Sequence, residues 1–70
     1  SAVTVYYLKE TEPQLEQQVQ AFVWTKRSGL QAGELYLVGG EDAPQTQELA
    51  RRLAAQYACV EYRPCAACRE

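Results

Sequence analysis

Two places in the chain hold residues whose types and spacing could do chemistry. The first is Cys65-Ala66-Ala67-Cys68. A Cys-x-x-Cys spacing suits either a redox disulfide or half of a tetrahedral zinc site. A thioredoxin-type pair needs its first Cys at a helix N-terminus behind a central strand, where the dipole lowers the thiol pKa, whereas this pair stands at the end of the given sequence. Zinc needs four ligands, and with no histidine in the chain Cys59 is the one cysteine left to add. A complete site therefore requires a second chain, and oxidisable thiols in a tail of small residues are the simpler reading.

The second place is Gly39-Gly40-Glu41-Asp42, together with Lys9-Glu10-Thr11. A glycine turn at the end of a parallel strand, opening onto a helix, is where α/β proteins hold phosphates on free backbone N–H groups. This turn lacks both Gly-x-Gly-x-x-Gly and the Gly-Lys-Ser/Thr of a phosphate loop, and Glu41 and Asp42 would repel an anion. A tight turn into a capped helix is favoured over a nucleotide pocket. Nucleophilic catalysis has little support, because Ser and Cys have no histidine base here and Asp42 is the only aspartate.

The elements that would position these groups follow from periodicity. Val3–Leu8 (VTVYYL) is an unbroken β-branched and aromatic run, the pattern of a strand covered on both faces. Thr11 and Gln14 form a capping-box spacing around Pro13, so a helix is expected to start there. Leu15, Val19, Phe22 and Val23 make one apolar stripe, and the helix runs to about Ser28, with Gly29 as its left-handed stop. Trp24 falls at the margin of that stripe, where an exposed aromatic would favour a contact surface. Glu34–Val38 (ELYLV) reads as a second strand. Asp42 is the expected N-cap of a second helix that turns Leu49, Ala50, Leu53 and Ala54 inward and ends near Tyr57. Residues 59–63 alternate as a third strand, stopped by Pro64. The tyrosines of the strands read as core and interface.

Strands alternating with helices of this length force parallel pairing through right-handed crossovers. The expected fold is a single α/β domain over residues 1–70, a βαβαβ half-Rossmann unit of two or three layers. Its tail from 64 to 70 is expected to be flexible.

Val3-Thr4-Val5-Tyr6-Tyr7, the helix from Glu12, Glu34-Leu35-Tyr36-Leu37-Val38 and Thr46-Gln47-Glu48-Leu49-Ala50-Arg51-Arg52-Leu53-Ala54 together resemble the opening segment of family-2 glycosyltransferases. The resemblance covers roughly residues 3–62. It implies a strand order of 3-2-1 and a loop after the second strand that reaches the base of a sugar nucleotide. The departures are substantial: Gly39-Gly40 replace the family's acidic pair, Glu41-Asp42 its Gly-Ser, Leu8 its proline, and no Asp-x-Asp follows. The resemblance therefore implies a degenerate, non-catalytic relative. A three-stranded order of 3-2-1 leaves strand one at an edge, a template for pairing with a second copy.

Composition sets the remaining bounds. The 70 residues are 47% hydrophobic and 23% charged with a net charge of −2, the profile of a folded globular domain with no basic stripe for nucleic acid. No apolar run approaches the roughly 20 residues of a membrane span, and the start resembles no signal peptide, so a cytoplasmic protein is expected. The leading expectation is a homodimer joined through Val3, Val5, Tyr6, Tyr7 and Trp24, with no cofactor. The alternatives are a nucleotide or sugar-nucleotide module using Lys9, Glu10, Thr11, Gly39, Gly40, Glu41 and Asp42, and a thiol or zinc module using Cys65 and Cys68.

Overall fold

The computed structural model describes residues 2–65. Its elements are β1 (Val3–Leu8), α1 (Leu15–Arg27), β2 (Glu34–Gly39), α2 (Pro44–Gln56) and β3 (Val60–Arg63). The strands form one sheet in the order β1-β2-β3, which is the order 3-2-1 viewed from the opposite edge. Both pairings are parallel, with Tyr7 beside Val38 and Val38 beside Arg63.

Two successive crossovers of one hand that step in one direction across a sheet leave both helices on the same face. The core shows that they do. Leu15, Val19, Phe22 and Val23 of α1 and Ala50 and Leu53 of α2 cluster with Leu35, Leu37 and Val60, and Tyr6, Leu8 and Tyr62 pack against them. These strand residues belong to one face of the pleat. The architecture is thus two-layered. Leu37, at the middle of the central strand, is fully enclosed with 0% exposure, as is Ala50 of α2.

Among the described residues no element covers the other face of the sheet. That face carries Val3, Val5 and Tyr7 of β1, Glu34, Tyr36 and Val38 of β2, and Glu61 and Arg63 of β3. The expectation that β1 is covered on both faces is therefore overturned: Val3, Val5 and Tyr7 are 48%, 45% and 69% exposed. An unbroken apolar run is produced equally by a doubly covered strand and by a strand with one apolar face left open. Val38 is nonetheless buried, because it sits between Tyr7 and Arg63 in the ladder. The Arg63 guanidinium lies 4.7 Å from the Tyr36 ring and bonds Glu61 at 2.8 Å, so the β3 side of this face is charged.

Both helix starts fall later than the sequence suggests. Thr11 does not cap α1, whose N-cap is Gln14 without a side-chain bond. The Glu12 carboxylate instead turns back to the Lys9 N–H at 2.6 Å, closing a tight loop where the first helical turn was expected. At α2 the N-cap is Ala43 rather than Asp42, and again no side chain caps it. Pro44 in the first turn has no N–H to satisfy, which lowers the demand for a cap. Thr46, facing inward, is buried with Ala50 and Leu53, while Leu49 and Ala54 lie at the margin of the core.

Trp24 also departs from its expected place. At roughly 100° per residue it lies about 150° from the mean direction of the α1 stripe, not at its margin. It is 73% exposed on the solvent side of the helix layer.

Candidate functional site

The two loops singled out from the sequence do meet. Leu8 and Gly39 are register partners at the ends of β1 and β2, so Lys9–Thr11 and Gly40–Asp42 leave the sheet side by side at its C-terminal end. That is the end at which open α/β sheets hold ligands. Gly39 and Gly40 both take left-handed φ, and the Ala43 N–H returns to the Gly40 carbonyl at 3.0 Å to close the turn.

Two side chains that the sequence reading did not assign to the site hold these loops. The Thr46 hydroxyl, buried in α2, donates to the Glu10 carbonyl at 3.0 Å. The Tyr62 hydroxyl, from β3, donates to the Gly39 carbonyl at 2.6 Å and accepts from Gln47 at 3.1 Å. Both cross-links join residues far apart in the chain, and no local pattern announces them. A polar residue within an inward stripe, as Thr46 is, was the one available signal.

Between the first loop and the start of α2 runs an open groove of about 680 Å³, lined by Pro13, Ala43, Pro44 and Leu49 among others. A second hollow of about 430 Å³ lies over Leu8, Lys9 and Gly40. The charged groups around them are Glu10, Glu12, Glu41 and Asp42 against Lys9. That excess of carboxylates opposes a diphosphate by simple Coulomb repulsion. Among the described residues no group of three or more His, Cys, Asp or Glu side chains is placed to hold a metal ion.

The most organised feature at this end is structural. The Tyr6 hydroxyl donates to Glu12 at 2.8 Å while the other carboxylate oxygen accepts from the Lys9 N–H. Tyr6 thereby faces the helices and not the open face, apart from the other residues expected at an interface. The bond to Glu12, with partial burial and the carboxylate's charge, raises the Tyr6 pKa above its ordinary value of 10.0, and Gln18 opposes this. A folded-state pKa above the unfolded value stabilises the fold fully below pH 10 and loses that contribution as pH rises through the raised value. Glu12→Gln is therefore expected to bring the Tyr6 phenol back toward 10 and to lessen the loss of stability in strong alkali. Absorbance titration of phenolate in the two proteins would check this, and identical curves would refute it.

Cys59 and Cys65 do not converge. Cys59 precedes β3 and Cys65 follows it, and both are half-buried, with no disulfide among the described residues. The strand between them separates them by more than about 13 Å, too far for a disulfide or a shared ion. Cys59 sits instead in a hollow with Val23, Lys26, Arg27 and Tyr57. Cys68 lies outside the described residues, as does most of the expected flexible tail.

The remaining candidates separate onto opposite sides of the molecule. Val3, Val5 and Tyr7 share the open sheet face, whereas Trp24 is on the outer face of the helix layer, so no single flat contact covers all four. Comparison with protein-family models, with curated proteins and with solved structures finds no match for this chain.

Proposed function

We propose that this chain is a small non-catalytic α/β module, glycosyltransferase-like in origin, that works in the cytosol by protein–protein contact through β1 and the open face of its sheet. One observation carries the reading. Parallel sheets are ordinarily covered on both faces, and here, among the described residues, an apolar stripe of Val3, Val5 and Tyr7 stands uncovered beside an unpaired strand edge. The other edge strand, β3, is short, bears Glu61 and Arg63 and is followed by Pro64, features that discourage pairing. β1 has none of these.

Nucleotide or sugar-nucleotide binding at the loops is the weaker reading. The loops do adjoin, but their lining is acidic and is braced by Thr46, Tyr62 and Glu12 from within.

The contact reading is tested on Tyr7→Lys. The side chain is exposed, so the variant is expected to fold with stability within about 0.5 kcal/mol of the parent. It should also bind a fluorescent apolar dye several-fold less than the parent. Unchanged dye binding in a folded variant would sink the proposal that this face is the sticky one.

A further inference from the structure

The geometry points to a specific partner for β1: a second copy of the same strand, paired antiparallel about a two-fold axis through Val5. This rests on the contact reading above and names the partner and the register.

Alternation along a strand decides which backbone groups are free. The Glu34 N–H donates to the Ala2 carbonyl at 3.1 Å, so the even-numbered residues of β1 point their N–H and C=O groups at β2. Val3, Val5 and Tyr7 therefore direct theirs outward from the sheet. The same three residues carry the side chains of the open face.

A two-fold axis perpendicular to the sheet keeps both open faces on one side, which requires the numbers of opposed residues to sum to an even value. Centring on Val5 sets Val5 opposite itself and Val3 opposite Tyr7. This register matches all three outward-pointing residues among themselves, each pair exchanging both backbone hydrogen bonds. Centring on Thr4 or on Tyr6 carries one of the three beyond the strand. On the open face the Val5 register also makes two aromatic to β-branched cross-strand pairs, and it opposes no like charges, since β1 has no charged residue.

The rival arrangement, two copies stacked open face to open face, is disfavoured by charge. It would have to desolvate Glu34 and the Glu61–Arg63 pair, which share that face. Edge pairing leaves them in water and places two apolar stripes side by side in a six-stranded sheet. A contact built on one six-residue strand falls at the small end of protein interfaces, below about 1,200 Å² in total, where complexes are weak and reversible. The dimer should accordingly form and dissociate with concentration.

The test is oxidative cross-linking of the full chain, with the wild-type protein and its native cysteines as the baseline. In the proposed register Val5 and its copy lie about 5.5 Å apart at Cα, within disulfide reach. Val5→Cys is expected to give a covalent dimer at least several-fold faster than wild type. Tyr7→Cys should stay at the baseline, because its copy lies four residues away along the strand, roughly 13 Å. Light scattering of the wild type should show the mass doubling as concentration rises. A protein that stays monomeric up to about 1 mM would overturn self-pairing. A dimer in which Tyr7→Cys links as fast as Val5→Cys would overturn the register. Neither result touches the dye experiment on Tyr7→Lys, so failure of the partner and failure of the surface remain distinguishable.

Discussion

Leu37→Ala is expected to leave most of the chain unfolded at room temperature. Leu37 is fully enclosed at the centre of β2, where residues from both helices and both neighbouring strands surround it. Truncating such a leucine costs about 2–5 kcal/mol, the upper end applying where the walls cannot collapse into the void. A core in a chain of this size rarely supplies more than about 3–5 kcal/mol of net stability. The two quantities are of the same size, so the variant should show little cooperative melting by circular dichroism. Leu30, 80% exposed in the turn after α1, provides the control: Leu30→Ala should melt within a few degrees of wild type. A cooperative Leu37→Ala transition less than about 10 °C below wild type would mean that the core is looser or more stable than its burial indicates.

Gly33→Ala is the second large effect, and Gly29→Ala its measure. Both glycines have left-handed φ, +96° and +80°. An alanine held in that region costs about 1–2 kcal/mol at either position. Around Gly29 nothing lies within 4 Å of an added Cβ, so the conformational cost is all there is. At Gly33 the added Cβ would fall 2.1 Å from the Ala2 carbonyl oxygen and 2.7 Å from its carbon. That carbonyl accepts the Glu34 N–H in the first rung between β1 and β2, and the Gly33 carbonyl itself accepts from Lys26. Relieving the clash means opening the rung, about 1 kcal/mol more. Gly33→Ala should therefore lose about 2–3 kcal/mol and expose the Glu34 amide to hydrogen exchange. Equal losses at the two glycines would show that β1 yields at its start without consequence.

These two positions also show where sequence reasoning reaches and where it stops. That Gly33 ends a turn is legible locally; that Ala2 lies against it is not, since the contact joins segments thirty-one positions apart across the sheet. Trp24 is a milder case. Its displacement from the stripe is visible on a helical wheel, but its 73% exposure follows only once α1 is seen to have one covered side. The helix caps at Thr11 and Asp42 misled because the chain around Thr11 closes a loop before α1 begins at Leu15, and because the start of α2 needs one donor fewer to be capped. Glu12 turned back to Lys9 and Tyr6, and Pro44 removed a donor.

By itself the sequence determined the elements and their order: β-branched runs, a 3.6-residue stripe in α1 and the glycine and proline punctuation are local properties of a chain. It also determined that the strands must be parallel, because each helix returns the chain to the same end of the sheet. Only the tertiary structure decided that both helices lie on one face, leaving Val3, Val5 and Tyr7 bare, and that Thr46 and Tyr62 brace the loops beyond β1 and β2. The physical reason is that periodicity records how much apolar surface a segment offers, whereas the identity of what covers it depends on segments brought together by the fold.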